Sequence, residues 1–212
     1  MKEITGKQVK NMLLGAYHSF EKNFESINEL NVFPVPDGDT GTNMMHTMAS
    51  VAKEISAMSD DAEAGEIGAV AARSAIMGAR GNSGVILSQL LRGIGKGVAG
   101  KKNLNNTEIG KAFQFGILYA YRSVAKPVEG TILTVARGMA KGAYHAVRSE
   151  SFSLEDVLQA AIRSGKEELA RTPEKLPALK AAGVVDAGGQ GLIVFFEGCL
   201  AGLRGEDCEV LK

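Results

Sequence analysis

The chain has 212 residues, of which 45% are hydrophobic, and its 24 basic side chains balance 24 acidic ones. This length supports one substantial core, as one domain or at most two, and the overall charge gives no indication of a nucleic-acid or anionic-membrane surface. Cys199 and Cys208 are too few for a disulfide framework or a zinc site, which indicates a reducing, cytoplasmic compartment. We find neither a signal peptide nor an apolar run long enough to cross a membrane.

Apolar residues recur at spacings of three and four, which predicts a succession of helices and no convincing strand. The first predicted helix opens with a capping box formed by Thr5 and Gln8. In order, the predicted helices cover about residues 5–27, 42–58, 67–78, 85 to the loop at 100–106, 107–124, 131–148, 153–171, 173–182 and 192–203.

We therefore predict an all-α fold, an antiparallel up-and-down bundle or barrel of about eight helices in a single domain over residues 1–212. Motif-like loops follow the first, third, fifth and eighth predicted helices. Because alternate connections of an up-and-down bundle share one end, the first three of these loops should be neighbours. The fourth joins them only if the short helix at Pro173 does not span the bundle.

The segment 31–44, NVFPVPDGDTGTNM, carries the strongest chemical signal. Pro34 and Pro36 prevent a helix at its start, and the prolines favour extended conformations for the residues before them. In an extended segment the carboxylates of Asp37 and Asp39 project to the same side. Oxygen ligands on a stiff loop suit a hard cation such as Mg²⁺.

Thr40, Gly41, Thr42 and Asn43 open the next predicted helix, whose free N–H groups and dipole favour an anion. Carboxylates beside such a helix start are what a metal–nucleotide site needs. The alternative is a proline-stiffened turn with a Thr or Asp N-cap and two solvated carboxylates. An EF-hand calcium loop is excluded, since Thr42 would replace its required glycine and Met48 its bidentate glutamate.

A second loop, 78–84, contains three glycines and leads into the fourth predicted helix, with Asn82 and Ser83 at the expected N-cap and Gly84 after them. Backbone N–H groups freed by glycine ahead of a helix can cradle phosphate oxygens. The open alternative is an ordinary glycine C-cap followed by a serine N-cap. Arg80 faces either a phosphate or solvent, and the absence of a Walker pattern excludes a P-loop enzyme.

Four segments together resemble one family. Residues 31–44 resemble the signature of the DhaL-like domain of dihydroxyacetone kinases and, more closely, that of the N-terminal domain of the bacterial fatty acid kinase catalytic subunit. Residues 78–89, 126–134 and 183–192 are similar to other motifs of that subunit and occur in the same order. The resemblance therefore covers nearly the whole chain and implies an antiparallel helical barrel with its nucleotide in the loops at one end.

The resemblance implies ATP or ADP as the nucleotide and one or two Mg²⁺ ions, held by Asp37 and Asp39, which are also the predicted catalytic residues. DhaL proteins use three aspartates, and the neutral Asn31 stands near this first metal position as a departure from that pattern. The implied phosphate contacts are Thr40, Gly41, Thr42, Asn43, Asn82, Ser83 and Gly84. The implied nucleoside contacts are Thr131, Ile132, Asp186, Ala187 and Gly188. Asp186 alternatively caps the last helix.

The resemblance further implies transfer of the γ-phosphate of ATP to a fatty acid carboxylate that a separate lipid-binding carrier protein presents, giving an acyl phosphate for phospholipid synthesis. A carboxylate acceptor is already ionised at neutral pH and needs no general base. The chain is then the nucleotide domain of a longer subunit, which we expect to be inactive on fatty acid alone. The alternatives are a dihydroxyacetone kinase nucleotide subunit and a non-catalytic nucleotide-binding scaffold.

We predict no functional role for the remaining candidate residues. His18, His46 and His145 are spread over three predicted helices without the spacing of a catalytic triad or a metal site, and we predict surface or half-buried positions for them. Lys101 and Lys102 lie in a predicted solvated loop.

Overall fold

The computed structural model describes residues 3–149 and 152–206. Within these residues the fold is all-helical, and the one β-type pairing is an isolated bridge between Ile4 and Leu104. The helices are α1 Gly6–Glu29, α2 Thr40–Ser56, α3 Ala64–Gly78, α4 Gly81–Val98, α5 Asn106–Arg122, α6 Ile132–Val147, α7 Leu154–Ala170, α8 Thr172–Lys175, α9 Pro177–Ala182 and α10 Ala187–Leu203. None of them combines the length and apolar character needed to cross a membrane.

The eight long helices form a closed ring, which confirms the predicted all-α architecture. Each long helix packs against the next one in chain order from α1 to α7, and α10 packs against both α7 and α1. Nearly all buried apolar side chains belong to one cluster between these helices. Because every long helix presents an apolar stripe to the same centre, the ring has a single hydrophobic core.

The helices alternate in direction, as contacts between their connections show. At one end of the ring the Ala64 amide, after the α2–α3 connection, donates to the Lys102 carbonyl in the α4–α5 connection at 3.0 Å. At the same end the Leu154 amide, after the α6–α7 connection, donates to the Asn106 side chain at 3.2 Å. The connections α1–α2, α3–α4, α5–α6 and α9–α10 therefore lie at the opposite end.

Local hydrogen bonds explain several helix starts. The predicted capping box is present: the Thr5 hydroxyl accepts from the Gln8 amide at 3.2 Å, and the Gln8 side chain accepts from the Thr5 amide at 2.9 Å. The same reciprocal pairs begin α5 and α7, namely Asn105 with Glu108 and Ser153 with Asp156. Such pairs satisfy amide groups that a helix start leaves without partners.

Two helices beside the motif loops begin earlier than predicted. α2 begins at Thr40 rather than near residue 42. α4 begins at Gly81, so that Asn82 and Ser83 are its second and third residues, and Arg80 takes the N-cap position predicted for them. Gly81 has a φ of +66°, which L side chains rarely adopt, and this residue turns the chain into α4.

The last helix, α10, begins at Ala187 rather than at the predicted Leu192. Its glycine-rich first turns have poor helix propensity, and tertiary packing overrides that preference. A Cβ at Gly191 would lie only 2.3 Å from the Met44 sulfur, so that only glycine lets α10 approach α2 this closely. The middle of α10, around Phe195, is fully buried.

The segment after α7 forms two short helices in place of the single predicted helix 173–182. Leu176 separates them in an extended conformation, because Pro177 disfavours a helical residue before it. Thr172, the predicted N-cap, is instead the first residue of α8, and Arg171 takes the N-cap position. With four and six residues, neither helix spans the ring.

Candidate functional site

All four motif loops meet at one cavity of about 330 Å³. The first three loops share one end of the ring because the helices alternate in direction. The fourth loop joins them because α8 and α9 are too short to cross the ring. The predicted site residues that line the cavity are Asn31, Asp37, Asp39, Thr40, Asn43, Asn82, Ser83, Thr131, Ile132, Asp186 and Gly188. Gly81, whose backbone N–H was predicted to hold phosphate, also lines the cavity, and the lining residues that were not predicted are Phe33, Pro34, Val35 and Ile86.

Four predicted site residues lie outside the cavity lining: Gly41, Thr42, Gly84 and Ala187. Two of them are glycines that allow close packing. A Cβ at Gly41 would lie 2.1 Å from the Phe24 carbonyl oxygen, and a Cβ at Gly84 would lie 2.5 Å from the Thr47 hydroxyl. Ligand contacts for these residues stay predictions, and the structure gives the two glycines a role in holding helices together.

Asn31 fixes the conformation of the loop 30–39 between α1 and α2, which contains Asp37 and Asp39 and is here called the acidic loop. Its side-chain oxygen accepts hydrogen bonds from the amides of Asp39 and Thr40, both at 3.1 Å, and its nitrogen donates to the Val35 carbonyl at 3.1 Å. Only 6% of Asn31 is exposed. The oxygen that a metal would use is thus already bonded to two amides, and the predicted metal contact of Asn31 stays a prediction.

Asn28, in the last turn of α1, has a comparable role that the sequence did not reveal. Its oxygen accepts from the Thr42 amide at 3.0 Å, and its nitrogen donates to the Thr42 hydroxyl at 2.9 Å. Two of the first three amides of α2, those of Thr40 and Thr42, are therefore satisfied by asparagine side chains. The start of α2, predicted as an open anion site, is largely occupied by the protein itself.

The two acidic side chains of this loop lie at the cavity. Asp37 is exposed and Asp39 is half-buried, and both line the cavity. Asp39 takes the N-cap position of α2, yet its carboxylate makes no capping hydrogen bond, because Asn31 and Asn28 satisfy the helix start. Gly38, with a φ of +67°, turns the backbone between the two carboxylates.

α4 presents an uncapped start to the same cavity. Arg80 at its N-cap position makes no side-chain capping bond, and Gly81, Asn82 and Ser83 line the cavity. A Cβ at Gly81 would lie 2.5 Å from the Asn43 side-chain nitrogen, so glycine permits the close approach of α4 and α2. First-turn amides without a cap carry partial positive charge and favour a bound anion.

Asp186 joins the starts of α10 and α6. Its carboxylate accepts from the Gly189 amide at 2.8 Å and from the Ile132 amide, and its own amide donates to the Thr172 hydroxyl at 3.1 Å. Burial raises the pKa of Asp186 to about 6, although the two backbone hydrogen bonds act in the opposite direction. The structure therefore shows the capping role that the sequence left open, with the carboxylate also lining the cavity.

The charged side chains lining the cavity are three carboxylates, Asp37, Asp39 and Asp186, and no Lys, Arg or His of the described residues joins them. Arg80 is exposed and lies outside the lining, as do all three histidines. No group of three or more His, Cys, Asp or Glu side chains in the described ranges could hold a metal. Two carboxylates still fit Mg²⁺, which keeps several waters and takes further oxygens from a ligand's phosphates.

Comparisons with known proteins show the family to which the chain belongs. A family model described as the DAK2 domain matches residues 34–201. Protein YloV of Bacillus subtilis is 46% identical over 206 residues, and a Staphylococcus epidermidis protein is 44% identical over 207 residues. These matches cover 97% and 98% of this chain and 37% of each relative, so the chain spans little more than a third of their length.

Solved structures share the fold. The dihydroxyacetone kinase from C. freundii in complex with AMP-PNP and Mg²⁺ matches with a TM-score of 0.68 and 17% identity, over 93% of this chain and 34% of that one. The native form of that kinase matches with a TM-score of 0.61 and 18% identity, over 90% of this chain and 33% of that one.

Proposed function

Because the chain belongs to the DAK2 domain family, we propose that its cavity binds ATP with Mg²⁺ and supports transfer of the γ-phosphoryl group. One observation carries the proposal: two carboxylates without a capping role and an uncapped helix start converge on the same cavity. Its volume, about 330 Å³, lies within the range of small-molecule sites. The ligands of the C. freundii kinase, AMP-PNP and Mg²⁺, support the same pair here.

Electrostatics explain why the metal is needed. A polyphosphate cannot lie beside three carboxylates without a cation between them, since like charges at short range repel by several kcal/mol. We assign Asp37 and Asp39 to one or two Mg²⁺ ions. Bound Mg²⁺ neutralises charge on the β- and γ-phosphate oxygens.

The remaining lining residues divide between the phosphates and the nucleoside. The uncapped amides of Gly81, Asn82 and Ser83 donate to phosphate oxygens. The side chains of Thr40 and Asn43 lie on the same side of the cavity as the acidic loop. On the other side of the cavity, the starts of α6 and α10 are held together by the buried carboxylate of Asp186 and form the nucleoside contact.

For the phosphate acceptor we propose a fatty acid carboxylate that a separate lipid-binding protein presents. The form of residues 31–44 and the three later motifs supports this acceptor. The site chemistry also supports it, because Asp37 and Asp39 are assigned to metal and Asp186 is bonded to two amides. No lining residue in the described ranges is then left as a general base, which a carboxylate acceptor does not need and a hydroxyl acceptor does.

A dihydroxyacetone kinase nucleotide subunit is the second candidate, because the solved structures that share the fold belong to such a kinase. The acceptor separates the two proposals. Phosphorylation of dihydroxyacetone by this chain with a substrate-binding subunit would support the second, and phosphorylation of a lipid-loaded carrier would support the first.

The test of nucleotide binding is a melting experiment on this chain with ATP, with ATP and Mg²⁺, and with both ligands plus EDTA. We expect the melting temperature to rise with ATP and Mg²⁺ together and the rise to disappear with EDTA, because a ligand that binds only the folded state stabilises it. An equal rise with and without EDTA would contradict the metal assignment, and no rise would contradict nucleotide binding.

A further inference from the structure

The neutral total charge hides a strongly basic middle section of the chain, residues 67–149. Residues 67–149 contain twelve Lys and Arg residues and only two carboxylates, whereas the rest of the chain contains twelve Lys and Arg residues and twenty-two carboxylates. Both carboxylates of this section are paired: Glu108 lies 2.9 Å from Lys101, and Glu129 lies 2.8 Å from Arg137. Arg137 is thus balanced locally, whereas no ion pair among the described residues balances the other basic residues of α4, α5 and α6.

The outward side chains of these three helices form three neighbouring rows, because residues spaced by four, three and four share one helix face. The rows are Val85, Gln89, Arg92 and Lys96 on α4, Lys111, Phe115, Leu118 and Arg122 on α5, and Arg137, Lys141 and Tyr144 on α6 with Arg148 at its C-cap. We call these twelve residues the basic face. All of them except the half-buried Gln89 are exposed, and none is a carboxylate.

Close helix packing makes the three rows one surface. α5 packs against α4 on one side and against α6 on the other. A Cβ at Gly93 of α4 would lie 2.7 Å from the Gly116 Cα of α5, so the two helices approach closely. Arg92 and Lys96 extend across this seam over the Tyr119 ring, with 5.9 and 5.2 Å to its centroid.

Apolar side chains occupy the middle of the basic face. Phe115 is 49% exposed and Leu118 is 38% exposed, and both belong to the central row on α5. Lys111 and Arg122 stand at the two ends of that row, and cations of α4 and α6 flank it on both sides. The face is roughly 17 Å along the helices and roughly 20 Å across them, from the rise per residue and the usual distance between packed helices.

We propose that the basic face binds the surface of an anionic lipid bilayer. Phe115 and Leu118 enter the interfacial region, and the flanking cations contact the lipid phosphates, as on amphipathic helices that lie in a membrane surface. Because α5 is the middle helix of three on the convex outside of a ring, its apolar residues project furthest towards a flat surface. This inference does not depend on the proposed phosphotransfer.

An acidic protein partner fits the face less well. Protein interfaces are complementary in shape, so a protein partner for this convex face must offer a concave acidic surface. Lipid headgroups rearrange around cations and need no matching shape. The single sign of charge, with apolar residues at the crest, therefore favours the bilayer.

The first experiment is flotation of the whole chain with vesicles of phosphatidylcholine alone or mixed with phosphatidylglycerol. We expect binding to the mixed vesicles and not to phosphatidylcholine. The binding should weaken as salt is added, because the headgroup attraction is screened. Absence of binding to the mixed vesicles, or binding that salt does not change, would overturn the proposal.

Matched charge-reversal variants locate the surface. One variant combines Lys111→Glu, Arg122→Glu and Lys141→Glu, and we expect it to bind the mixed vesicles at least about tenfold more weakly. The control makes the same change of net charge away from the face, at exposed positions of α1, α2 and α9, with Lys7→Glu, Lys53→Glu and Lys180→Glu. Equal losses in both variants would assign the binding to total charge and overturn the proposal.

A further pair of variants separates lipid from other polyanions. We expect Phe115→Ser to weaken binding to the mixed vesicles severalfold and to leave binding to heparin unchanged. Met77→Ser, which alters an apolar residue of α3 that is 83% exposed and lies outside the face, should change neither. If Phe115→Ser changed neither, or if an acidic protein bound the face more tightly than the vesicles did, the lipid assignment would be wrong.

Discussion

At the scale of single residues, asparagine side chains and aspartate carboxylates have different roles at the acidic loop. Asn31 and Asn28 satisfy the start of α2, whereas Asp37 and Asp39 line the cavity. An N-cap aspartate normally bonds to its own helix, so the absence of that bond at Asp39 is a sign of function. The asparagine side chains therefore stabilise the loop without the two carboxylates, which leaves these carboxylates for the proposed Mg²⁺ contacts.

We expect Asp37→Ala and Asp39→Ala each to abolish Mg²⁺-dependent ATP binding and to leave the fold intact. Removal of a carboxylate from a site with three of them relieves repulsion, so the melting temperature without metal should stay the same or rise. Calorimetry with ATP and Mg²⁺ measures the effect, with Asp61→Ala in the exposed α2–α3 connection as the control. Binding by the double alanine variant as tight as that of the parent would show that the metal assignment is wrong.

Asp186 makes the stability of the protein depend on pH. Its pKa is raised to about 6 in the folded state from 3.8, so the folded protein holds this proton more tightly than the unfolded chain. The contribution of Asp186 to the free energy of unfolding is therefore greatest below about pH 4. It falls as the pH rises through 6, by a total of roughly 3 kcal/mol.

We expect Asp186→Asn to flatten the pH dependence of stability between about pH 4 and 6, because an amide does not ionise. The measurement is urea unfolding of the parent and the variant across that range. Asp156→Asn, at an exposed helix start, serves as the control and should retain the slope of the parent. An Asp186→Asn variant with the parent's slope would show that another group dominates this pH range.

At the scale of elements, the turn into α4 combines a left-handed glycine with a close contact. Gly81→Ala forces a side chain into positive φ and towards Asn43, 2.5 Å away, where it displaces the uncapped amides. We expect a larger loss of affinity for ATP than for adenosine, since the change affects phosphate contacts. Calorimetry with both ligands measures the ratio.

Gly100→Ala is a matched control for this prediction. Gly100 has a φ of +74°, so the backbone strain is comparable, yet nothing lies within 4 Å of its Cβ position. We expect Gly100→Ala to lose the stability that the backbone strain alone costs, less than Gly81→Ala loses, and to keep its nucleotide affinity unchanged. Equal losses of ATP and adenosine affinity in Gly81→Ala would indicate general misfolding.

Sequence periodicity was sufficient to predict the long helices, since each carries an apolar stripe, and the capping box at Thr5 marked the start of α1. It could not predict where α10 begins, because the early glycines there serve tertiary contacts such as that of Gly191 with Met44. The role of Asn28 was also hidden, since a side chain in one helix satisfies an amide of another and leaves no local pattern.

At the scale of the whole molecule, the ring explains how motifs far apart in sequence form one site. The alternation of helices brings the odd-numbered connections together. A count of helices predicted this for the first three motif loops, whereas the fourth depended on the short helix at Pro173. The location of the basic face did not follow from composition, because a total charge averages over a chain whose middle is basic and whose two ends are acidic. The fold brings seven of the twelve basic residues of that middle together on the basic face of α4, α5 and α6.

The cavity of this chain does not by itself attract a fatty acid carboxylate. A free fatty acid carboxylate that approaches the cavity meets three carboxylates and no lining cation among the described residues, so it has no local partner before metal and nucleotide bind. Transfer also requires the acceptor to stand in line with the γ-phosphate, and such positioning lowers the barrier by several kcal/mol. The chain spans only 37% of the length of its relatives, which leaves positioning groups to the remainder of such proteins.

We therefore expect this chain to bind ATP with Mg²⁺ and to make negligible acyl phosphate from free oleate. Activity should appear when the remaining part of a full-length relative and a lipid-loaded carrier are both supplied, because together they position the carboxylate that this cavity does not attract. Radiolabelled ATP with oleate, in the presence and absence of those proteins, measures the difference. Sustained acyl phosphate formation by this chain with oleate alone would show that it positions its own acceptor, and the two-protein proposal would then be wrong.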